Sequence, residues 1–276
     1  MSFDDLTSRY PARFYSESGV APVGGVLLTL GVSVVAGVVL AAVYSAVSFY
    51  NPFIYFGFIG TGLLGFAMGF VVNRVARVGG VRNATVRVGV ALLVAVFAEY
   101  VSWAVFLRLL TDTWFLDPIA WLELVPMVAE TGYYSIASVE VSGVLLWILW
   151  SVELLVVVGL AMLIAFPVND VYCDAAGAWT TEAQDVARFQ GDVEAVVSKL
   201  MTESYMDITS GLTPVPADTL PAIRVDDYVS PRADAPSYLT LHRVEPDEKG
   251  EESSSIIVEH VIVPPEVARA FRALEA

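Results

Sequence analysis

Two carboxylates stand where a carboxylate is hardest to keep. Glu99 lies near the middle of the apolar stretch Val88 to Leu110, and Glu153 near the middle of Val141 to Phe166. An ionised carboxylate in hydrocarbon costs several kcal/mol, so each must face an interior, find a partner or take a proton. On a helix, Glu99 shares a face with Ser102 and Trp103, and Glu153 shares one with Leu146, Trp150 and Val157. Each glutamate thus has an indole one turn away, and an indole N–H can donate to a carboxyl group. Arg87 and Arg108 sit toward opposite ends of the Glu99 stretch, far from it at a rise of about 1.5 Å per residue. Two chemistries follow. Either the protonated carboxyls tie helices together, or they line a polar path for a proton or cation. The few polar residues in these runs favour the first.

Other chemistry is thinly supported. "YCDAAGAW", Tyr172 to Trp179, has the spacing of half a zinc knuckle, but Ala176 takes the place of the second cysteine. Cys173 is the single cysteine, and His242 and His260 lie in other segments, so four zinc ligands are not at hand. One cysteine also excludes an intrachain disulfide. The chain has no Gly-x-Ser-x-Gly, Walker loop, His-Glu-x-x-His or dinucleotide fingerprint. No catalytic residue, metal or cofactor is therefore expected. A site around Asp170, Cys173 and Asp174 is the weakest of the enzymatic alternatives.

The elements that must position the glutamates are long apolar runs. Of the 276 residues, 56% are hydrophobic, and the mean hydropathy is +0.65. A bilayer takes about 20 residues of helix to cross. Four runs qualify, at about 23–47, 53–72, 86–107 and 141–166. Pro52 and Pro167 help to bound the second and fourth. The third run's outer continuation, 111–140, is rich in Trp and Tyr and reads as an interfacial helix broken near Pro126. It is also a candidate lid over a cavity. In the second run Gly65 and Gly69 form a small-xxx-small pair, suited to packing inside the bundle or to a homodimer seam. The start of the chain lacks the pattern of a cleavable signal, so the first run is expected to stay as a helix.

Charge sets the orientation. The link between the second and third runs carries Arg74, Arg77, Arg82 and Arg87 and no acid, while the link between the third and fourth is acidic. Positive residues gather on the cytoplasmic side, which places both termini there. Arg82 has phosphate headgroups within its reach in that arrangement.

Past Pro167 the chain becomes polar and acidic. The net charge of −15 argues against a nucleic-acid partner and favours a well-solvated surface. Residues 180–203 carry an apolar stripe (Val186, Phe189, Val193, Val196, Val197, Leu200) that predicts a helix capped by Thr181. The Pro-rich stretch 210–236 reads as extended and irregular. "SYLTLHRV" and "SSIIVEHVIV" alternate as a hairpin on which His242 and His260 could pair, and "PPEVARAFRALEA" closes with a helix.

The expected architecture is an all-α polytopic membrane bundle of four transmembrane helices (23–167), preceded by a cytoplasmic segment (1–22). A small acidic cytoplasmic α+β domain follows (168–276). The expected function is non-catalytic: a multi-pass protein of the cell (inner) membrane that anchors an interaction or regulatory domain. Its partners would be the lipid bilayer, a protein bound by the cytoplasmic domain, and a second copy if Gly65 and Gly69 form a seam. The rival is a small proton- or cation-coupled transporter or channel that uses Glu99 and Glu153.

Overall fold

The computed structural model describes residues 3–51, 54–132, 134–136, 139–167 and 170–274. The chain divides into two units: Ser18–Val168 forms one, and Met1–Glu17 joins Asn169–Ala276 in the other. The N-terminal segment does not stand apart, because its helix α1 (Phe3–Arg9) buries Leu6 in the core of the C-terminal unit.

The first unit is built on four long helices: α2 (Val23–Tyr50), α3 (Ile54–Val78), α4 (Ala84–Thr111) and, after a short insertion, α6 (Val144–Ala165). Among the described helices these four are long and apolar enough to cross a membrane. They outrun the expected spans at several ends, because polar residues such as Arg74 and Arg77 continue the α3 helix beyond its apolar run. α2 shows how the bundle packs. Gly25, Thr29, Ser33, Gly37, Ala41 and Ser45 recur every fourth residue and are its buried face. The valines and leucines between them point outward, with Val35 67% and Leu27 62% exposed. This pattern is inverted relative to a water-soluble helix, which buries its large apolar side chains.

Close approach explains three of the glycines. A Cβ on Gly25 would lie 2.0 Å from the Gly79 carbonyl oxygen. Added at Gly65 it would meet the Val157 carbonyl at 2.7 Å, and at Gly69 the Ala161 carbonyl at 2.6 Å. Gly65 and Gly69 therefore seat α3 directly on the α6 backbone. Asn83 caps α4 by accepting from the Val86 amide at 2.9 Å.

Between α4 and α6 lie α5 (Pro118–Thr131) and a hairpin of β1 (Tyr134–Ile136) and β2 (Val139–Val141). The break expected at Pro126 does not occur. α5 runs through it, since a single missing N–H and a helical φ can be absorbed. Asp117 and Pro118 start this helix, and Gly132, at φ 78°, ends it. The fourth long helix starts at Val144 rather than 141 because residues 139–141 pair as β2. Pro52 and Tyr133 lie outside the described residues.

In the second unit β3 (Tyr172–Cys173) and β4 (Ala178–Trp179) form a tight hairpin. β5 (Thr181–Gln190), α7 (Val193–Met201), β6 (Thr213–Pro214), β7 (Ala222–Val229), β8 (Ser237–Pro246), β9 (Glu252–Val263) and α8 (Pro265–Arg272) follow. The last five strands make an antiparallel sheet in the order β6-β5-β7-β8-β9. Its core joins Phe189, Val225, Leu239 and Leu241 to Leu200 of α7 and Phe271 of α8.

Two expectations change here. The helix expected over 180–203 is a strand followed by a helix. Gly191, at φ 152°, breaks the run, and Asp192, not Thr181, caps α7 by accepting from the Ala195 amide at 3.0 Å. Val186 and Phe189 fit a helical stripe only by coincidence; Ala187 and Phe189 are buried at strand period. The stretch read as irregular contains β7, the middle strand of the sheet. The β8–β9 hairpin and the closing helix form as expected.

Candidate functional site

The bundle brings four helices to one polar cluster. Tyr44 of α2, Thr61 of α3 and Glu153 of α6 are joined in a row. The Tyr44 hydroxyl is hydrogen-bonded to Glu153 Oε1, and it lies 3.0 Å from Thr61 Oγ1. Thr61 Oγ1 in turn donates to the Gly57 carbonyl at 2.9 Å. Glu99 of α4 is within electrostatic reach of both Glu153 and Tyr44. It is 6% exposed, and its Oε1 is buried with no hydrogen-bond partner. Neither carboxyl group has an ion-pair partner among the described residues.

The neighbours read from helical spacing take other roles. Ser102 pairs with Ser45 of α2, the hydroxyls standing 2.9 Å apart, while Ser45 Oγ donates to the Ser102 carbonyl at 2.7 Å. Trp103 and Trp150 do not hydrogen-bond the glutamates. They pack edge to face, with centroids 4.7 Å apart. Their preference for each other follows from the ring quadrupoles, which favour a T-shaped pair. Trp121 of α5 adds to this cluster, stacked on Tyr100 at 4.6 Å and 6.4 Å from Trp103.

Two small cavities meet at Glu153. One, of about 50 Å³, is lined by Tyr44, Ser48, Asn51, Thr61, Trp150 and Glu153 among others. The second, of about 30 Å³, touches Ser45, Ser102, Trp103 and again Tyr44 and Glu153. Each exceeds the roughly 10–15 Å³ that a water molecule requires. Tyr44, Thr61 and Ser45 were not singled out by sequence. A hydroxyl every turn or so on one face of α2, at Ser45, Ser48 and the nearby Tyr44, was the available signal.

The arginines stay at the α3–α4 end. Arg74 lies over the Phe70 ring at 5.1 Å, and Arg77 closes α3. The Arg82 amide donates to the Val20 carbonyl. Arg87 is buried, its Nε donating to the Val81 carbonyl at 2.7 Å. It braces the turn rather than facing outward.

The C-terminal unit holds its own polar cluster, which the sequence did not announce. His242 Nε2 lies 3.0 Å from Asp226 Oδ2. Asp226 also accepts from the Asp185 amide at 2.7 Å, across a β-bulge in β5 where Asp185 has φ 55°. Arg224, Arg188, Asp185 and Glu252 complete the network. Burial works to raise the Asp226 carboxyl, but His242, the Asp185 amide and Arg224 outweigh it and hold it below its ordinary value. His260 does not pair with His242. It packs edge to face on Tyr228 at 4.5 Å and Tyr15 at 6.2 Å, and burial holds it below its ordinary value. Cys173 is fully buried in the β3–β4 hairpin, so no exposed thiol stands beside Asp170 and Asp174. No group of three His, Cys, Asp or Glu able to hold a metal ion occurs among the described residues.

Comparison with protein-family models, curated proteins and solved structures gives no match to this chain. The site therefore has to be read from its own chemistry.

Proposed function

We propose that the chain is a small proton- or cation-coupled membrane transporter in which Glu99 and Glu153 bind the coupling ion. The four apolar helices are its transmembrane spans, the arginine-bearing α3–α4 turn faces the cytoplasm, and both ends of the chain lie on that side. An even number of crossings is supported by the way Met1–Glu17 and Asn169–Ala276 form one unit, which an odd number forbids.

The observation that carries the reading is the unpartnered Glu99 beside Glu153. A carboxyl group kept only as interhelical glue needs a partner, and Glu99 Oε1 has none. Two buried carboxyls within electrostatic reach cannot both be ionised cheaply, so the pair holds a proton or a cation. The hydroxyls at Glu153 each supply one hydrogen. Thr61 donates its own to the Gly57 carbonyl and Tyr44 donates its own to Glu153 Oε1, so the Tyr44 hydroxyl holds that oxygen as an acceptor.

Reconstitution into proteoliposomes under a pH or sodium gradient tests this. Wild type is expected to carry ion flux, and Glu99→Gln to fall to the empty-liposome background. Wild-type flux at background under every gradient would sink the transport reading. The second reading, a membrane-anchored protein that binds a partner, is favoured by one observation: the C-terminal unit has a complete hydrophobic core of its own.

A further inference from the structure

The cavity beside Glu153 has a direction. From α2 it is lined by Tyr44, Ser48 and Asn51, one face of the last two turns and the residue that ends the helix. From α3 it takes Gly57, Phe58 and Thr61, all near that helix's start. From α6 it takes Leu146, Leu149, Trp150 and Glu153, all in the first half. Every lining residue thus comes from the same end of the bundle, where α2 hands over to α3. Toward the other end the helices close on one another. Met68, Val72, Val94, Ala98, Val157 and Ala161 are fully buried in one cluster. There Gly65 and Gly69 bring α3 onto the α6 backbone so tightly that not even a Cβ would fit. Glu99, one residue beyond Ala98, stands at the boundary between the two regions.

We propose that Glu153 is served from one side only, through a polar vestibule that begins at Asn51, while the packed floor beneath seals the other side. The inference rests on the transport reading for what is exchanged, but its geometry stands on the lining residues alone. The α2–α3 turn and the arginine-bearing α3–α4 turn lie at opposite ends of α3. Under the positive-inside rule the vestibule therefore faces away from the cytoplasm. Its size also limits the cargo. A cavity of about 50 Å³ takes water-borne protons or one small inorganic cation, not an organic solute of drug size, whose pockets are roughly 300 Å³ or more.

Cysteine accessibility tests the sidedness. Ser48→Cys and Ala161→Cys would each be placed in a Cys173→Ala chain, and exposed to a membrane-impermeant thiosulfonate in sealed vesicles of each orientation. Ser48→Cys is expected to react from the non-cytoplasmic side alone, and Ala161→Cys from neither. Reaction of Ser48→Cys from the cytoplasmic side, from both sides or from neither would overturn the proposal, as would any reaction of Ala161→Cys. If Ala161→Cys does not fold, Val72→Cys probes the same floor. Flux without this labelling pattern would remove the one-sided vestibule and leave the transport reading standing. The labelling pattern without flux would do the reverse.

Discussion

At the scale of single residues, the two glutamates differ in what holds them. Glu153 is tied to α2 and α3 through Tyr44 and Thr61; Glu99 has an oxygen with no partner. Their variants should therefore behave differently. Tyr44→Phe removes the one side chain hydrogen-bonded to Glu153 among the described residues, and should cost about 1–3 kcal/mol, the desolvation penalty of an orphaned buried group. Glu99→Gln keeps the shape, puts an amide NH2 in place of one carboxyl oxygen and cannot ionise, so its melting temperature in nanodiscs should match or exceed that of wild type. A Glu99→Gln protein clearly less stable than Tyr44→Phe would return Glu99 to a purely structural role. Both glutamates were legible in the sequence because a carboxylate inside an apolar run is costly and has to be accounted for. Tyr44 and Thr61 were not, because a lone hydroxyl in such a run is unremarkable until packing brings it to a carboxyl. The expected indole partners failed for a related reason. Helical spacing says which residues share a face, but Trp103 and Trp150 found each other across helices.

At the scale of elements, α2 packs into the bundle through small residues rather than large ones. Gly25 makes this testable, since a side chain there would run into the Gly79 backbone, which cannot move as a side-chain tip can. Gly25→Val should destabilise the bundle by about 1–3 kcal/mol or force α2 away from α3. The same substitution at Gly31, where a Cβ meets nothing within 4 Å, should be neutral. Thermal unfolding of the two variants side by side checks it, and equal effects would contradict the packing described. The long helices could be read from sequence because length and hydropathy suffice for them. The strand β5 could not, because Val186 and Phe189 fit a helical period by chance. The central strand β7 was hidden by its two aspartates. Asp227 is held inside by Arg272 of α8, which donates to it with Nε at 2.8 Å, and that pairing is a tertiary fact.

At the scale of the whole molecule, the C-terminal unit should respond to acid through His260. Burial holds this imidazole below its ordinary value of 6.5. The unfolded chain then takes up a proton before the folded one, so stability falls as pH drops from 6.5 toward the folded value. Asp227, raised above its ordinary 3.8 by burial, acts with the opposite sign, easing the fold as pH falls through its own titration. Asp226, held low, contributes stability that is lost only below 3.8. Of these three groups His260 is the one that titrates nearest neutrality. Thermal unfolding gives the readout: the midpoint of the C-terminal unit should fall on mild acidification, and His260→Gln should flatten that dependence. An unchanged dependence would remove His260 from the account. The central claim, however, is that Glu99 and Glu153 form an exchangeable proton or cation site. Infrared difference spectroscopy on the reconstituted protein tests it most directly. We predict a protonated-carboxyl stretch that disappears when pH is raised or a small cation is added, and that Glu99→Gln or Glu153→Gln diminishes. A carboxyl signal unmoved by pH or cation would contradict the claim.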